Sequence, residues 1–341
     1  MALRLSVLDQ SPIAEGGNGG QALRNSVELA RLTDALGYSR YWVAEHHGMP
    51  MLASAAPEIL IAEIAAVTER IRVGSGGVML PHYSPLKVAE TFSILGGLHG
   101  DRIDLGIGRA PGSDRETMFA LQRDRRQMSP DDFPEQLTEL LAYVEDDFPE
   151  DHPFARLATL PGAPGRPDVW LLGSSPQSAI WAGQLGLPYS IADFINPAGA
   201  ANARLYRERF LPRRREQPEV SVCVAAICAD SAEEAERLAS STRMAITLLR
   251  RGRLIAVPSV EKALAFFAQP GESEAASGRR LLVGTPETVR SGLEQVADEY
   301  GAEEVLVVTI THDHEARKRS YELLAGVFGL AAAADPYAAA D

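Results

Sequence analysis

The segment LRLSVLDQSPIAEGGNGG, residues 3–20, decides between two folds. From Leu3 to Asp9 it is a short, mainly apolar run of strand length. A helical pattern follows, ALRNSVELARLTDAL (22–36), with Leu23, Val27, Ala30 and Leu36 along one stripe and Gly37 as its stop. In an open doubly wound sheet, the turn between the two would carry a G-x-G-x-x-G phosphate loop opening directly into the helix. GGNGG lacks that spacing. The unit therefore reads as the first step of a barrel.

Outward from this unit, the same alternation of strand and helix recurs. Strands are expected over 3–9, 40–46, 71–80, 102–108, 168–174, 188–194, 219–228 and 303–310. Eight strands, each followed by a helical pattern, make an α/β fold of the (β/α)8 TIM-barrel type. Two connections exceed ordinary loop lengths and read as insertions: 111–167 after strand 4, and about 250–284 after strand 7. The second contains PGESEAASG and reads as a polar, mobile segment that would serve as a lid. Residues 1–330 are expected to form a single barrel domain, and 331–341, AAAADPYAAAD, a disordered low-complexity tail.

Composition narrows the function classes. The chain has 341 residues and a formal net charge of −13, with no basic cluster, which argues against nucleic acid as a partner. No apolar run approaches the roughly 20 residues of a membrane span, and MALRLSVLDQ lacks a signal-peptide core. Cys223 and Cys228 sit on one expected strand with side chains on opposite faces, so they cannot pair with each other. Two free thiols suit a reducing cytoplasm.

The chemistry of such barrels gathers at the C-terminal ends of the strands. Those ends carry Asp9-Gln10, Glu45-His46-His47, Gly76-Gly77, Gly108-Arg109, Gly173-Ser174-Ser175, Asp193 and THDH (311–314). Alternation sends His46 and His47 to opposite sides, so one of them at most faces the lumen. Asp9 reads as a brace for the first loop, and His312-Asp313-His314 as a solvated loop. Two glycines in succession, Gly76-Gly77, suggest something flat or bulky over the backbone. Arg109 with Ser174, Ser175 and the helix opening at Pro176-Gln177 makes a phosphate cradle: a guanidinium fork, hydroxyls and N-terminal amides.

LSVLDQSPIAEG, YWVAEHHGMPMLASAAPEILI, IRVGSGGVMLPHYSPLKVAETF and RIDLGIGRAPGSD together resemble the bacterial luciferase-like monooxygenase family. The resemblance resumes at WLLGSSPQSAIWAGQLGLP and RLLVGTPETVRSGLEQVADEYGAEEVLVVT. It implies a (β/α)8 barrel that binds reduced FMN, supplied by an NAD(P)H:flavin reductase, and that oxidises a small organic substrate with O2 through a flavin C4a-(hydro)peroxide. By resemblance, His46 is the active-site histidine, expected to move a proton with a pKa near 6–7. Gly76-Gly77 match a cis peptide under the flavin ring. Arg109 and Ser174 match phosphate ligands, with Ser175 and Gln177 beside them. His47 matches a position that reaches across a homodimer interface towards Glu90 of the partner, while Glu45 braces the structure and His82 and Tyr83 line the pocket. Gly108 stands where the light-emitting subunit has a reactive cysteine, which removes light emission from the expectation. Asp193 stands where relatives carry histidine, a change expected to bear on substrate choice. Three alternatives stand beside this reading: an F420-dependent oxidoreductase of the same superfamily, a non-catalytic flavin-binding protein, and a metal-dependent hydrolase built on His46, His82, Asp193 and Asp9.

Overall fold

The computed structural model describes residues 3–109, 115–121, 132–157, 159, 165–273 and 278–330. The elements run β1 (Arg4–Asp9), α1 (Gly19–Ala35), β2 (Arg40–Val43), α2 (Pro57–Ala66), β3 (Arg72–Met79), α3 (Pro85–His99) and β4 (Ile103–Gly108). Next come α4 (Arg115–Leu121), α5 (Phe133–Glu145), β5 (Asp168–Gly173), α6 (Pro176–Leu185), β6 (Tyr189–Ala192), α7 (Ala200–Arg209) and β7 (Val220–Cys228). The chain continues through α8 (Ala232–Arg250), α9 (Val260–Phe267), β8 (Leu281–Gly284), α10 (Pro286–Tyr300), β9 (Glu304–Val308) and α11 (His314–Phe328).

Strands β1 to β7 pair in order, all parallel; β7 pairs with β9, and β9 closes the ring on β1. The expected eight-stranded barrel is thus present, with β9 as its eighth strand. The insertion after β4 holds α4 and α5. The segment after β7 differs from expectation. It is not a plain polar lid: α9 lies within it, and LLVG forms β8, which extends β7 in parallel from Ala225↔Leu281 to Cys228↔Gly284. Val257 also bridges Ala14, tying the segment to the loop after β1. Residues 274–277 of PGESEAASG, and the tail 331–341, lie outside the described residues.

Outward strand faces pack on the helices around Tyr41, Ile61, Phe92, Leu105 and Val307, all buried. Inward faces form a second cluster, with Leu8, Trp42, Trp170, Cys223 and Leu306 filling the middle of the lumen. Trp42 and Trp170 meet edge to face, 5.3 Å between centroids. Cys223 is in this cluster, whereas Cys228 packs on the outer side, as alternation requires. Burial pushes both thiols up to about 12.

One pleat below the tryptophans, at the strand starts, the lumen is charged. Arg40 Nη1 meets Asp104 Oδ2 at 2.8 Å and its Nε meets Glu304 Oε1 at 3.1 Å. Arg72 meets Asp104 at 2.6 Å, and Arg4 reaches Glu219 and Glu304 at 3.1 and 3.4 Å. The Trp42 indole donates to Asp104 at 2.9 Å, and the Arg40 guanidinium lies 4.7 Å from the Trp170 ring centroid. Burial opposes the Arg40 charge, but Asp104 and Glu304 outweigh it and hold its pKa above the ordinary arginine value.

Candidate active site

At the other end of the barrel, β2 stops at Val43, three residues short of expectation. Ala44 N still donates to Asp9 O at 2.9 Å, but His46 N then turns to Ser54 O at 2.8 Å, leaving the sheet. Glu45, His46 and His47 therefore stand on the loop that leaves the strand. The Glu45 carboxylate is buried and accepts from Met79 N at 2.9 Å and the Tyr83 hydroxyl at 2.8 Å. His47 Nε2 lies 2.7 Å from the same carboxylate. Glu45 is a brace between the ends of β2 and β3, as expected, and Tyr83 and His47 are held by it.

His46 is the histidine of the pair that faces the lumen. Its Nδ1 is buried and has no hydrogen-bond partner. Burial, with a smaller contribution from neighbouring His47, lowers its pKa to about 4. The expected value near 6–7 is not met, because the ring is desolvated with no anion beside it to favour the charged form. At neutral pH the imidazole is uncharged.

His46 lines two adjoining cavities. The larger, about 430 Å³, is bounded by Gly76, Gly77, Gly108, Arg109, Ser174 and Ser175. Six of the seven residues expected to form the site, His46 included, are thus brought together here. The seventh, Gln177, is exposed on the first turn of α6 and does not line the cavity. Ser175 caps α6, accepting from Ser178 N at 3.3 Å, and Asn202 fixes the loop by donating to Ser174 O at 3.0 Å. The Arg109 guanidinium lies 5.6 Å from the Trp181 ring centroid.

The Gly76-Gly77 peptide is cis, in agreement with the resemblance. What passes over Gly76 is first of all the protein itself: a Cβ there would come within 2.5 Å of Leu8 Cδ1 and 3.1 Å of Trp42 Cβ. A Cβ on Gly77 would strike Gly106 O at 2.6 Å. At Gly108, by contrast, an added Cβ meets nothing closer than Met79 Sδ at 3.5 Å. The lumen is close-packed at Gly76 and open beside Gly108.

The second cavity, about 260 Å³, shares His46, Gln10, Phe194 and Ile195 with the first. Its other walls are Met49, Met51 and Leu52 from the loop after β2, and Thr242, Ile246 and Leu249 of α8. Arg243, Arg279, Arg280 and Leu281 also line it. None of the α8 and β8 residues is signalled by the sequence as site-forming, because Thr242, Ile246 and Leu249 share a helix stripe indistinguishable from core.

Other expected residues fall elsewhere. Asp9 is buried outside the lumen, 2.6 Å from Arg317 and 2.5 Å from the Tyr41 hydroxyl. Burial opposes its charge, yet Arg317 outweighs it and holds the carboxyl below its ordinary value. Asp193 accepts from the Tyr300 hydroxyl at 2.8 Å and lies 3.5 Å from Arg280; burial raises its pKa. Neither carboxylate lines a cavity with His46, nor do His82 and Tyr83. Glu90 lies 3.9 Å from Lys87 of its own chain. Asp313 caps α11, accepting from Ala316 N at 3.2 Å, and His312 Nε2 meets Glu15 O at 3.2 Å. Among the described residues no three His, Cys, Asp or Glu side chains converge to hold a metal.

The lining of the larger cavity suits a flavin-type cofactor. Arg109, Ser174 and Ser175 line it together with Gly76, Gly77 and Gly108, and the unpartnered His46 Nδ1 is a buried polar atom that a bound ring system would satisfy.

Comparison with known proteins shows the family and the fold. The sequence profile described as luciferase-like monooxygenase matches residues 3–304. The chain is 43% identical over 327 residues to a luciferase-like monooxygenase of Escherichia coli K12, covering 94% of this chain and 96% of that protein. It is 38% identical over 326 residues to the N-acetyl-S-alkylcysteine monooxygenase of Bacillus subtilis, covering 94% and 97%. The solved structure of apo-MsnO8 superposes with a TM-score of 0.90 at 42% identity, over 97% of this chain and 99% of that one. At the level of fold alone, the oxygenating constituent of 3,6-diketocamphane monooxygenase in complex with FMN (TM-score 0.72, 21% identity) and an F420-dependent secondary alcohol dehydrogenase (0.65, 14%) share the barrel.

Proposed function

The chain belongs to the luciferase-like monooxygenase family, and from that premise we propose that it is an FMN-dependent monooxygenase acting on a small organic substrate. The observation that carries the reading is the position of His46, with its unpartnered Nδ1, in the wall common to two cavities. One has the donors for a flavin phosphate; the other is mainly apolar. Reduced FMN, delivered by an NAD(P)H:flavin reductase, supplies the electrons for O2, of which one atom goes to substrate and the other to water.

The chain's own residues bind, orient and shield. Arg109, Ser174 and Ser175 hold the phosphate, with charge-assisted hydrogen bonds from the guanidinium. Gly76 and Gly77 contribute backbone to the wall of the larger cavity, their absent side chains making way for Leu8, Trp42 and Gly106. Neutral His46 donates or accepts one hydrogen bond at the junction, and takes up a proton only when negative charge arrives beside it. Phe194 lines that junction and helps exclude water from it. Ile59 and Leu98, 70% and 69% exposed on α2 and α3, offer an apolar face for a homodimer, and two buried free thiols fit a cytoplasmic location. Among the described residues no helix is long and apolar enough to cross a membrane.

The test is rapid mixing of the protein carrying anaerobically reduced FMN with oxygenated buffer. A delay before oxidised flavin absorbance appears, long compared with free reduced FMN, supports the reading. Reoxidation as fast as in free solution sinks it, and tighter binding of F420 than of FMN in equilibrium titration would replace it with a hydride-transfer function.

A further inference from the structure

We infer that Asp193 is a positioning residue that determines specificity: through its ion pair with Arg280 it holds two walls of the smaller cavity in register, and so sets the length of apolar substrate that the cavity accepts. The inference rests on the proposed monooxygenase reading and deepens it by assigning what limits the substrate.

Asp193 directly follows β6 and lines neither cavity itself. It is fully buried, and its Oδ1 accepts from the Tyr300 hydroxyl at 2.8 Å. Its Oδ2 makes no hydrogen bond and lies 3.5 Å from Arg280 Nε. Arg280 in turn donates from both Nη atoms to Glu299 Oε2 at 3.0 Å. Tyr300 follows Glu299 on α10, so the four side chains close a ring. It joins the end of β6, the residue before β8 and the last turn of α10. The anchor of this ring is firm: Tyr300 is buried, and a Cβ on Gly199 would come within 2.9 Å of its hydroxyl.

Each member of the Asp193–Arg280 pair carries a wall. Phe194 and Ile195 follow Asp193 in the chain and line both cavities, with Phe194 N donating to Cys223 O at 3.2 Å. Arg280 and Leu281 line the smaller cavity only. The pair therefore fixes how far the β8 side stands from the Phe194 side.

Arg280 is pulled two ways. The Asp193 side chain is wholly buried, whereas that of Glu299 is 39% exposed. Take away the inner charge and the guanidinium is held by the outer carboxylate alone, so it follows Glu299 and the wall retreats. Most of the remaining lining is apolar, including Met51, Leu52, Ile246 and Ile310. In such a cavity each methylene that fits contributes roughly fourfold in affinity, and one that does not fit contributes nothing. The position of Arg280 thus becomes a limit on chain length.

The test is calorimetric titration of the full-length protein, without flavin, using 1-hexanol, 1-octanol and 1-decanol. The readout is the affinity ratio of 1-decanol to 1-hexanol. Asp193→Asn keeps an acceptor for Tyr300 but removes the charge facing Arg280, and should raise that ratio by roughly fourfold or more, the worth of one further buried methylene. Arg280→Gln should raise it similarly. The double variant should go no further than either single one, because both break the same pair. Tyr300→Phe leaves the pair in place and should keep the wild-type ratio. A merely structural Asp193 would instead weaken all three alcohols alike and lower the urea midpoint, with the ratio unmoved. An unmoved ratio in either single variant, additive shifts in the double variant, a shift in Tyr300→Phe as large as in Asp193→Asn, or wild-type protein that binds none of the alcohols overturns the inference. Should Asp193→Asn fail to fold, Arg280→Gln, at a partly exposed residue, decides. Every titration is run without flavin, so failure of the FMN reading shows only in the reoxidation test.

Discussion

The two ends of the barrel lumen are built from the same strands by the same alternation, yet they treat polar groups in opposite ways. At the strand starts, Arg40, Arg72, Asp104 and Glu304 are buried or half-buried and every one is paired. At the strand ends, His46 keeps an unpartnered nitrogen, and two cavities open beyond Gly76. Going from Gly76 in the middle of β3 to Gly108 at the end of β4 takes the lumen from a glycine that admits no Cβ to one with space beside it. The comparison teaches that the same alternation can fill one end of a lumen with ion pairs and leave the other open as cavities.

The comparison can be broken first at the strand starts. Asp104→Ala leaves Arg40, Arg72 and the Trp42 indole without their shared acceptor, and is expected to cost ~3–5 kcal/mol of stability. Urea denaturation measures it, and flavin affinity of the folded fraction should not change. A loss below ~1 kcal/mol would mean that this lattice is not what holds the barrel. The mirror-image variant is His46→Gln, expected to lower turnover by roughly 10³-fold, or ~4 kcal/mol in the barrier, with little change in the urea midpoint. A large fall in stability with normal turnover would reverse the assignment of the two ends.

Acid sharpens the contrast. The folded-state pKa of His46, about 4, lies below its unfolded value near 6.5, so the unfolded chain binds the extra proton across that window. The contribution of neutral His46 is present above pH 6.5 and is lost as pH falls, reaching about 3 kcal/mol by pH 4. Denaturation midpoints between pH 7 and 4 should show this slope in the wild type, and His46→Gln should lack it. The smallest effect is at the cavity mouth: Arg109→Ala should weaken FMN binding by ~2 kcal/mol, about thirtyfold, with stability unchanged. Fluorescence titration checks it, and unaltered affinity would move the phosphate away from Arg109.

Much of this was legible in the residues. Eight strands could be read because each is a short apolar run bounded by turn signals, and the rim residues followed from where those runs stop. β8 was not, because LLVG is four residues long and partly exposed through its first three, so it shows neither alternation nor a buried run. The strand-start lattice was available in principle: Arg4, Arg40, Arg72, Asp104 and Glu304 each stand two residues before a lumen-facing position of their strand. Period 2 gives their phase, but only the closed ring says that arginines of β1–β3 meet acids of β4 and β9. Gln177 was misplaced for a different reason. A helix N-terminus aims its amides at a ligand, but side chains on its first turn point around the axis, and this one points to solvent.

The charged lattice has a mechanical meaning as well. Strands joined by a lattice of ion pairs at their starts, and by local braces such as Glu45 at their ends, resemble cantilevers held most firmly at one side. For a given load, the deflection of such a beam grows with distance from the clamp. Trp42 and Trp170, one pleat above the ties, sit where the beam is stiff, whereas Gly108, Ser174 and Phe194 sit towards its tip. In these terms, any widening that admits a ligand is expected at the lip of the cup, where the cavity opens, and not at its ion-paired base.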